Sequence, residues 1–126
     1  LLLVDAAYAE FGGEDLTAAA LQHERTVVVR TFSKAFGLAG LRVGYAIASA
    51  EVAGWLRRVG SPFTCGSVAR RAAQLRLDDE AGEVAAYVAA VCEQRELVRG
   101  RLLQAGFVVA KSAANFVLAR GGNAAW

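Results

Sequence analysis

Two uninterrupted apolar runs constrain this chain most. Residues 1–4, "LLLV", stop at Asp5, and the "TVVV" of residues 26–29 continues through Arg30 and Thr31 to Ser33. A strand with one face in water alternates apolar and polar side chains; a strand covered on both faces does not. Both runs therefore read as strands of a largely parallel sheet flanked by helices, each with a polar carboxyl end. "DLTAAALQHE", residues 15–24, reads as a short helix between them, with His23 at its end. "GLRVGYAIAS", residues 40–49, reads as a third strand after a glycine-rich turn. "AEVAGWLRRV", residues 50–59, reads as a helix N-capped by Ser49.

Downstream, "GSPFTCGS" holds the only proline, Pro62, and marks a loop and a helix start. "VARRAAQLRLDD" is helical in pattern. From about Glu80 to Gln104 the spacing of Val84, Tyr87, Val88, Val91, Val98 and Leu102 predicts one long amphipathic helix. "GFVVAKS" and "ANFVLAR" then read as two strands. This order divides the chain into an α/β region, residues 1–80, and the start of a helix-plus-sheet module, residues 81–126, joined by the long helix.

Apolar residues make up 56% of the chain and mean hydropathy is +0.35, which suits buried parallel strands and leaves room for surface covered by partners. The chain opens without Met inside a strand and closes just after another, and so reads as an internal piece of a longer polypeptide. No signal-peptide pattern is present, and no uncharged apolar run approaches the roughly 18 residues of a membrane span. Net charge is +2 with basic residues dispersed, which gives no support to nucleic-acid binding. Cys65, Cys92 and the single His23 make neither a structural zinc pattern nor a disulfide framework. Both cysteines read as small apolar packing residues, and a reducing cytoplasm is the default compartment.

Ligand sites of open α/β sheets lie at the carboxyl ends of the strands. Asp5 with Tyr8, Ser33 with Lys34, and Arg42 before the third strand all fall there. Lys34 is one of only two lysines, the other being Lys111. A lysine amine attacks an aldehyde only when neutral, which calls for a nearby cation or desolvation. Arg42 supplies a cation whose planar fork suits phosphate, and Thr31 and Ser33 add hydroxyls for the same anion. Together with a carboxylate for a protonated ring nitrogen, these are the requirements of pyridoxal phosphate.

"DAAYAEF", followed at about 30 residues by "TFSKAFGLAGLRVGY", strongly resembles the fold-type I pyridoxal-phosphate aminotransferases, and most of all the histidinol-phosphate aminotransferase group. The resemblance runs the length of the chain, "ANFVLAR" included. It implies an α/β fold: part of the large, mostly parallel cofactor domain plus the start of a smaller C-terminal α+β domain. It implies Lys34 as the Schiff-base lysine and proton shuttle, Asp5 as partner of the pyridinium nitrogen, and Tyr8 as donor to the ring's phenolic oxygen. Thr31, Ser33 and Arg42 would bind the phosphate, and Asn115 lies in a motif near the substrate. Ala6 departs from the family pattern, which usually has Glu there. The glycine-rich segment, the stacking aromatic and the substrate-carboxylate arginine of the family have no counterpart between Leu1 and Trp126.

The implied reaction is transamination between histidinol phosphate and 2-oxoglutarate, in a cytoplasmic homodimer whose partners are a small amino donor and a 2-oxo acid, with no metal, nucleic acid or membrane. This piece alone is expected to be inactive. Related aromatic-amino-acid transamination, threonine-phosphate decarboxylation, or a non-catalytic domain that senses amines through the cofactor remain open. Taken singly, the residues have plainer roles: Asp5 a strand-end turn, Tyr8 a half-buried ring, Arg42 an ion-pair partner. Gly37, Gly40 and Gly44 read as turn residues rather than a phosphate loop, since no Lys-Ser/Thr pair follows them. Arg57, Arg58, Arg70 and Arg71 read as solvated helix faces, with a subunit interface as the alternative.

Overall fold

A computed structural model describes residues 1–12 and 14–121. Three strands form the first sheet, in the order β1 (Leu2–Asp5), β2 (Thr26–Thr31), β3 (Gly44–Ala48). The central strand is the most buried: Val27 and Val28 are closed off from solvent, as the unbroken apolar run predicts. β1 is parallel to β2, with Asp5 opposite Val29. β3 is antiparallel to β2, with Thr31 opposite Gly44, so the three strands are mixed where a largely parallel set is expected. The reason lies in the connection. A parallel crossover needs a dozen or more residues and usually a helix. Residues 32–43 instead fold into a loop and a single 3₁₀ turn, Ala39–Leu41, and bring the chain straight back. The α/β class is unaffected.

Helices α1 (Ala9–Gly12) and α2 (Thr17–Ala20) are single turns in the β1–β2 connection. The helix expected over residues 15–24 thus shrinks to four residues, and His23 sits in the turns beyond it rather than at its end. α3 (Ala50–Val59) begins where Ser49 predicts, its Oγ accepting the Val52 N–H at 3.3 Å. α4 (Ser67–Leu77) packs Ala69 and Ala73 against Phe32 and Val43, with Phe36, Leu38 and Tyr45 around them.

α5 (Glu83–Gln104) is the long helix. Val84, Val88, Val91 and Leu102 are half-buried, as their spacing predicts, but Tyr87 and Val98 are exposed. Cys92, Arg95 and Arg99 fill the stripe instead. Arg95 can do so because its guanidinium reaches main-chain carbonyls, which satisfies a charge that burial would otherwise penalise. The last two strands, β4 (Val108–Val109) and β5 (Ala119–Arg120), form an antiparallel pair of two residues each, shorter than expected. No helix among the described residues is long and apolar enough to cross a membrane. Of the two cysteines, Cys92 is half-buried, but Cys65 lies exposed in the loop before α4 and is not a packing residue.

Candidate functional site

The sheet has one edge where three chain segments converge. β1 ends there at Asp5, β2 ends there at Thr31, and antiparallel β3 starts there at Gly44. Six of the seven residues singled out from sequence lie at this edge or in the loops that leave it.

Asp5 closes β1, exposed, and its Oδ1 accepts the Ala7 N–H at 3.0 Å. That short turn leads through Tyr8 into α1, whose Phe11 N–H donates to the Tyr8 carbonyl at 3.0 Å. Lys34 comes from the other direction, three residues past β2. Its Nζ lies 5.3 Å from the centre of the Tyr8 ring, within the reach of a cation–π contact. Lys34 is half-buried, whereas Lys111 is exposed. The loop that leaves β2 is fixed by local bonds: Thr31 Oγ1 accepts the Ser33 N–H at 3.1 Å, and the Lys34 carbonyl accepts the Gly37 N–H at 3.2 Å. Gly37 has φ of 71°, a conformation that side chains with a Cβ rarely adopt.

Arg42 is brought beside Thr31 by the strand ladder. The Phe32 N–H donates to the Val43 carbonyl at 3.2 Å, and Gly44 faces Thr31. A Cβ on Gly44 would stand 2.7 Å from the Arg30 carbonyl, so only glycine allows this approach. Arg42 itself is held at φ of 50°, and its Nη1 donates to the Ala39 carbonyl at 2.9 Å. Thr31, Ser33 and Arg42 are therefore neighbours, while the Arg42 side chain folds back on its own turn.

Asn115 is exposed, away from the sheet edge, in the loop between β4 and β5. It lines a largely apolar cleft of about 350 Å³ with Tyr87, Val91, Arg95 and Phe116. Phe116 meets Tyr8 edge to face at 5.6 Å between ring centres, which links this loop to the Lys34 centre. A larger cleft, about 800 Å³, lies between Phe32, Tyr45 and α4 and contains none of the seven residues. Among the described residues no cluster of His, Cys, Asp or Glu could hold a metal ion.

Three side chains matter here that their sequence context does not announce. Phe116 packs on Tyr8. Arg95 donates to the Ala114 carbonyl at 2.9 Å and reaches the Phe11 carbonyl at 3.5 Å, tying α5 to both loops. Arg30, inside β2, pairs with Glu10 at 2.6 Å and Asp15 at 2.8 Å. Burial opposes the Arg30 charge, but the bonds to Glu10 and Asp15 outweigh it and raise the guanidinium pKa above its ordinary value. The only available signal was a charge interrupting an apolar strand, which calls for buried partners.

Residues 1–125 match the model of the family described as aminotransferase class I and II. The chain is 44% identical over 119 residues to an aromatic amino acid aminotransferase of Rhodococcus erythropolis, covering 93% of this chain and 33% of that protein. It is also 44% identical over 121 residues to an aromatic amino acid aminotransferase of Mycolicibacterium smegmatis, with 93% and 33% covered. The chain thus spans about a third of the length of the curated relatives it matches. Its fold superposes with a TM-score of 0.87 on histidinol-phosphate aminotransferase from Sinorhizobium meliloti, a structure in complex with pyridoxal-5'-phosphate. That match has 28% identity and covers 98% of this chain and 34% of the other. By sequence and by fold alike, the chain belongs to the class I and II aminotransferases.

Proposed function

We infer that this chain supplies the lysine-bearing part of a pyridoxal-phosphate-dependent aminotransferase, acting in the cytoplasm as a homodimer. The observation that carries this is the half-buried Lys34 amine set over the Tyr8 ring at the sheet edge where Asp5 and Thr31 also end. The donor set fits the cofactor in kind: a primary amine, an acid, a phenol, two hydroxyls and a guanidinium. Among the described residues Arg42 engages only through Nη1, and Thr31 Oγ1 accepts one bond while its O–H can still donate.

Pyridoxal phosphate supplies an aldehyde that condenses with amines and a ring that accepts the electron pair released at the substrate α-carbon. Lys34 would hold the cofactor through its amine and would carry the proton taken from the substrate α-carbon. Asp5, an exposed carboxylate at the end of β1, would pair with the ring nitrogen. The Tyr8 phenol would donate to the ring oxygen, and Thr31, Ser33 and Arg42 would bind the phosphate.

For the substrate pair we favour an aromatic amino acid and 2-oxoglutarate. Support comes from the relatives at 44% identity, which carry that name, against 28% for the histidinol-phosphate structure. Histidinol phosphate is the second reading, supported by the fold match at a TM-score of 0.87. Two measurements on the full-length protein test these statements. Borohydride reduction with pyridoxal phosphate should fix the pyridoxyl label on Lys34; a label confined to Lys111 overturns the assignment. The ratio of kcat/KM for phenylalanine to that for histidinol phosphate should exceed one, and a ratio well below one reverses the choice of substrate.

A further inference from the structure

We propose that Arg30 is a positioning residue of the Lys34 centre: through Glu10 it locks α1, which directly follows Tyr8, onto the strand that leads to Lys34. The inference rests on reading Lys34 as the cofactor lysine. Arg30 lies four residues before Lys34, and Glu10 lies two residues after Tyr8. The 2.6 Å bond between Arg30 Nη2 and Glu10 Oε1 therefore closes a loop whose far side is the Lys34–Tyr8 contact at 5.3 Å.

The helix needs such an anchor. α1 is four residues long, and a single turn cannot maintain itself against the entropy of the chain. The same guanidinium grips the segment a second time, through Nη1 to Asp15 Oδ2 at 2.8 Å and Thr17 Oγ1 at 3.3 Å. α1 and the segment that follows it are thus pinned to one point of β2. A planar fork can hold two partners in two directions, which a lysine ammonium does less well. Position also separates this pair from a surface salt bridge, since the Arg30 and Glu10 side chains are only 12% and 15% exposed. Nothing else in the chain joins β2 to α1 by side-chain ion pairing among the described residues.

The test is ¹⁹F NMR of the full-length protein containing 3-fluorotyrosine, without added cofactor, with the Tyr8 resonance assigned by Tyr8→Phe. Arg30→Gln and Glu10→Ala should each shift the Tyr8 resonance while leaving that of Tyr87 in place. Each should also lower pyridoxal-phosphate affinity roughly tenfold. Arg30→Lys should recover part of the Tyr8 shift. Glu10→Ala, a change that a helix accepts, carries the test where Arg30→Gln does not fold. An unmoved Tyr8 resonance in the folded variants overturns the proposal. The two readings fail separately: if Tyr8 shifts but borohydride never labels Lys34, the clamp stands and the cofactor assignment falls. If Lys34 is labelled and Tyr8 does not shift, the clamp alone falls.

Discussion

Arg42 combines a left-handed backbone, φ of 50°, with a side chain assigned to phosphate. A residue bearing a Cβ loses about 1 kcal/mol in that conformation. Such strain persists where the surroundings fix the backbone, here the 3₁₀ turn on one side and the Phe32–Val43 bond on the other. Arg42→Gly removes the strain but adds freedom to the unfolded chain, two opposing effects of about 1 kcal/mol. Thermal stability should therefore stay nearly constant while cofactor affinity drops by at least about tenfold, the loss of one charge-assisted hydrogen bond. Unchanged affinity by equilibrium titration would remove Arg42 from the phosphate site. Asp15 makes a prediction of a different kind. The Thr17 hydroxyl, then Arg30 and the Thr17 N–H, hold its carboxyl down at about 2 against an ordinary 3.8. A depressed carboxylate stabilises the fold above its unfolded pKa and stops doing so as pH falls through the folded one. The Arg30–Asp15 anchor should thus be intact above pH 3.8 and lost toward pH 2, and acid titration of Asp15→Asn should lack this step. Asp15 is half-exposed, so the step should be small and should shrink with added salt.

Between the elements, the β2–β3 hairpin and helix α5 bear the precision of the centre. Gly44→Ala would drive a Cβ to 2.7 Å from the Arg30 carbonyl. The hairpin must open or slip, at about 1–3 kcal/mol, and Arg42 moves with it. Loss of both stability and cofactor affinity is the expected signature, in contrast to Arg42→Gly. Arg95→Leu should keep α5 helical but release the Ala114 and Phe11 carbonyls. Amide hydrogen exchange should then rise around Ala114–Phe116 with little change within β2; uniform protection would show that Arg95 anchors nothing. The two elements also mark where sequence was informative. β2 was legible because an unbroken β-branched run has one plausible environment, and Ser49 because a cap acts within one helical turn. The direction of β3 was not, since the apolar run alone carries no sign of parallel or antiparallel pairing. On α5, spacing selected Tyr87 and Val98, but burial went to Arg95, whose partners are carbonyls of distant loops. The candidate residues Asp5, Tyr8, Lys34 and Arg42 stood out through their order along the chain. The contacts that hold them, Arg30 with Glu10 and Phe116 with Tyr8, join positions 20 and 108 residues apart and leave no local pattern.

At the scale of the molecule, surface area is the informative quantity. A compact monomer of 13.3 kDa exposes about 6,500 Å². This chain exposes 9020 Å². Large apolar side chains contribute to the difference: Leu1 and Leu3 at the start of β1, Val59 at the end of α3 and Phe63 beyond it, Val68 on α4, Val108 on β4 and Leu118 just before β5 are all largely in water. Phe63 is the extreme case, 99% exposed. Exposed apolar surface of this extent marks faces that pack against other protein. The Lys34 centre lies at the end of the same sheet, with β1 as an outer strand and with Asp5 and Arg42 both exposed. Catalysis by electrostatic preorganisation depends on water exclusion and fixed donors, and groups standing in water supply neither. The 126-residue chain alone should therefore bind a hydrophobic dye such as anilinonaphthalene sulfonate and melt over a broad range. With pyridoxal phosphate, phenylalanine and 2-oxoglutarate it should show no measurable transamination. Dye binding should disappear, and turnover appear, in a full-length protein whose further segments cover these faces. Substantial turnover by the isolated chain would mean that the edge carrying Asp5, Lys34 and Arg42 is a sufficient site without further walls.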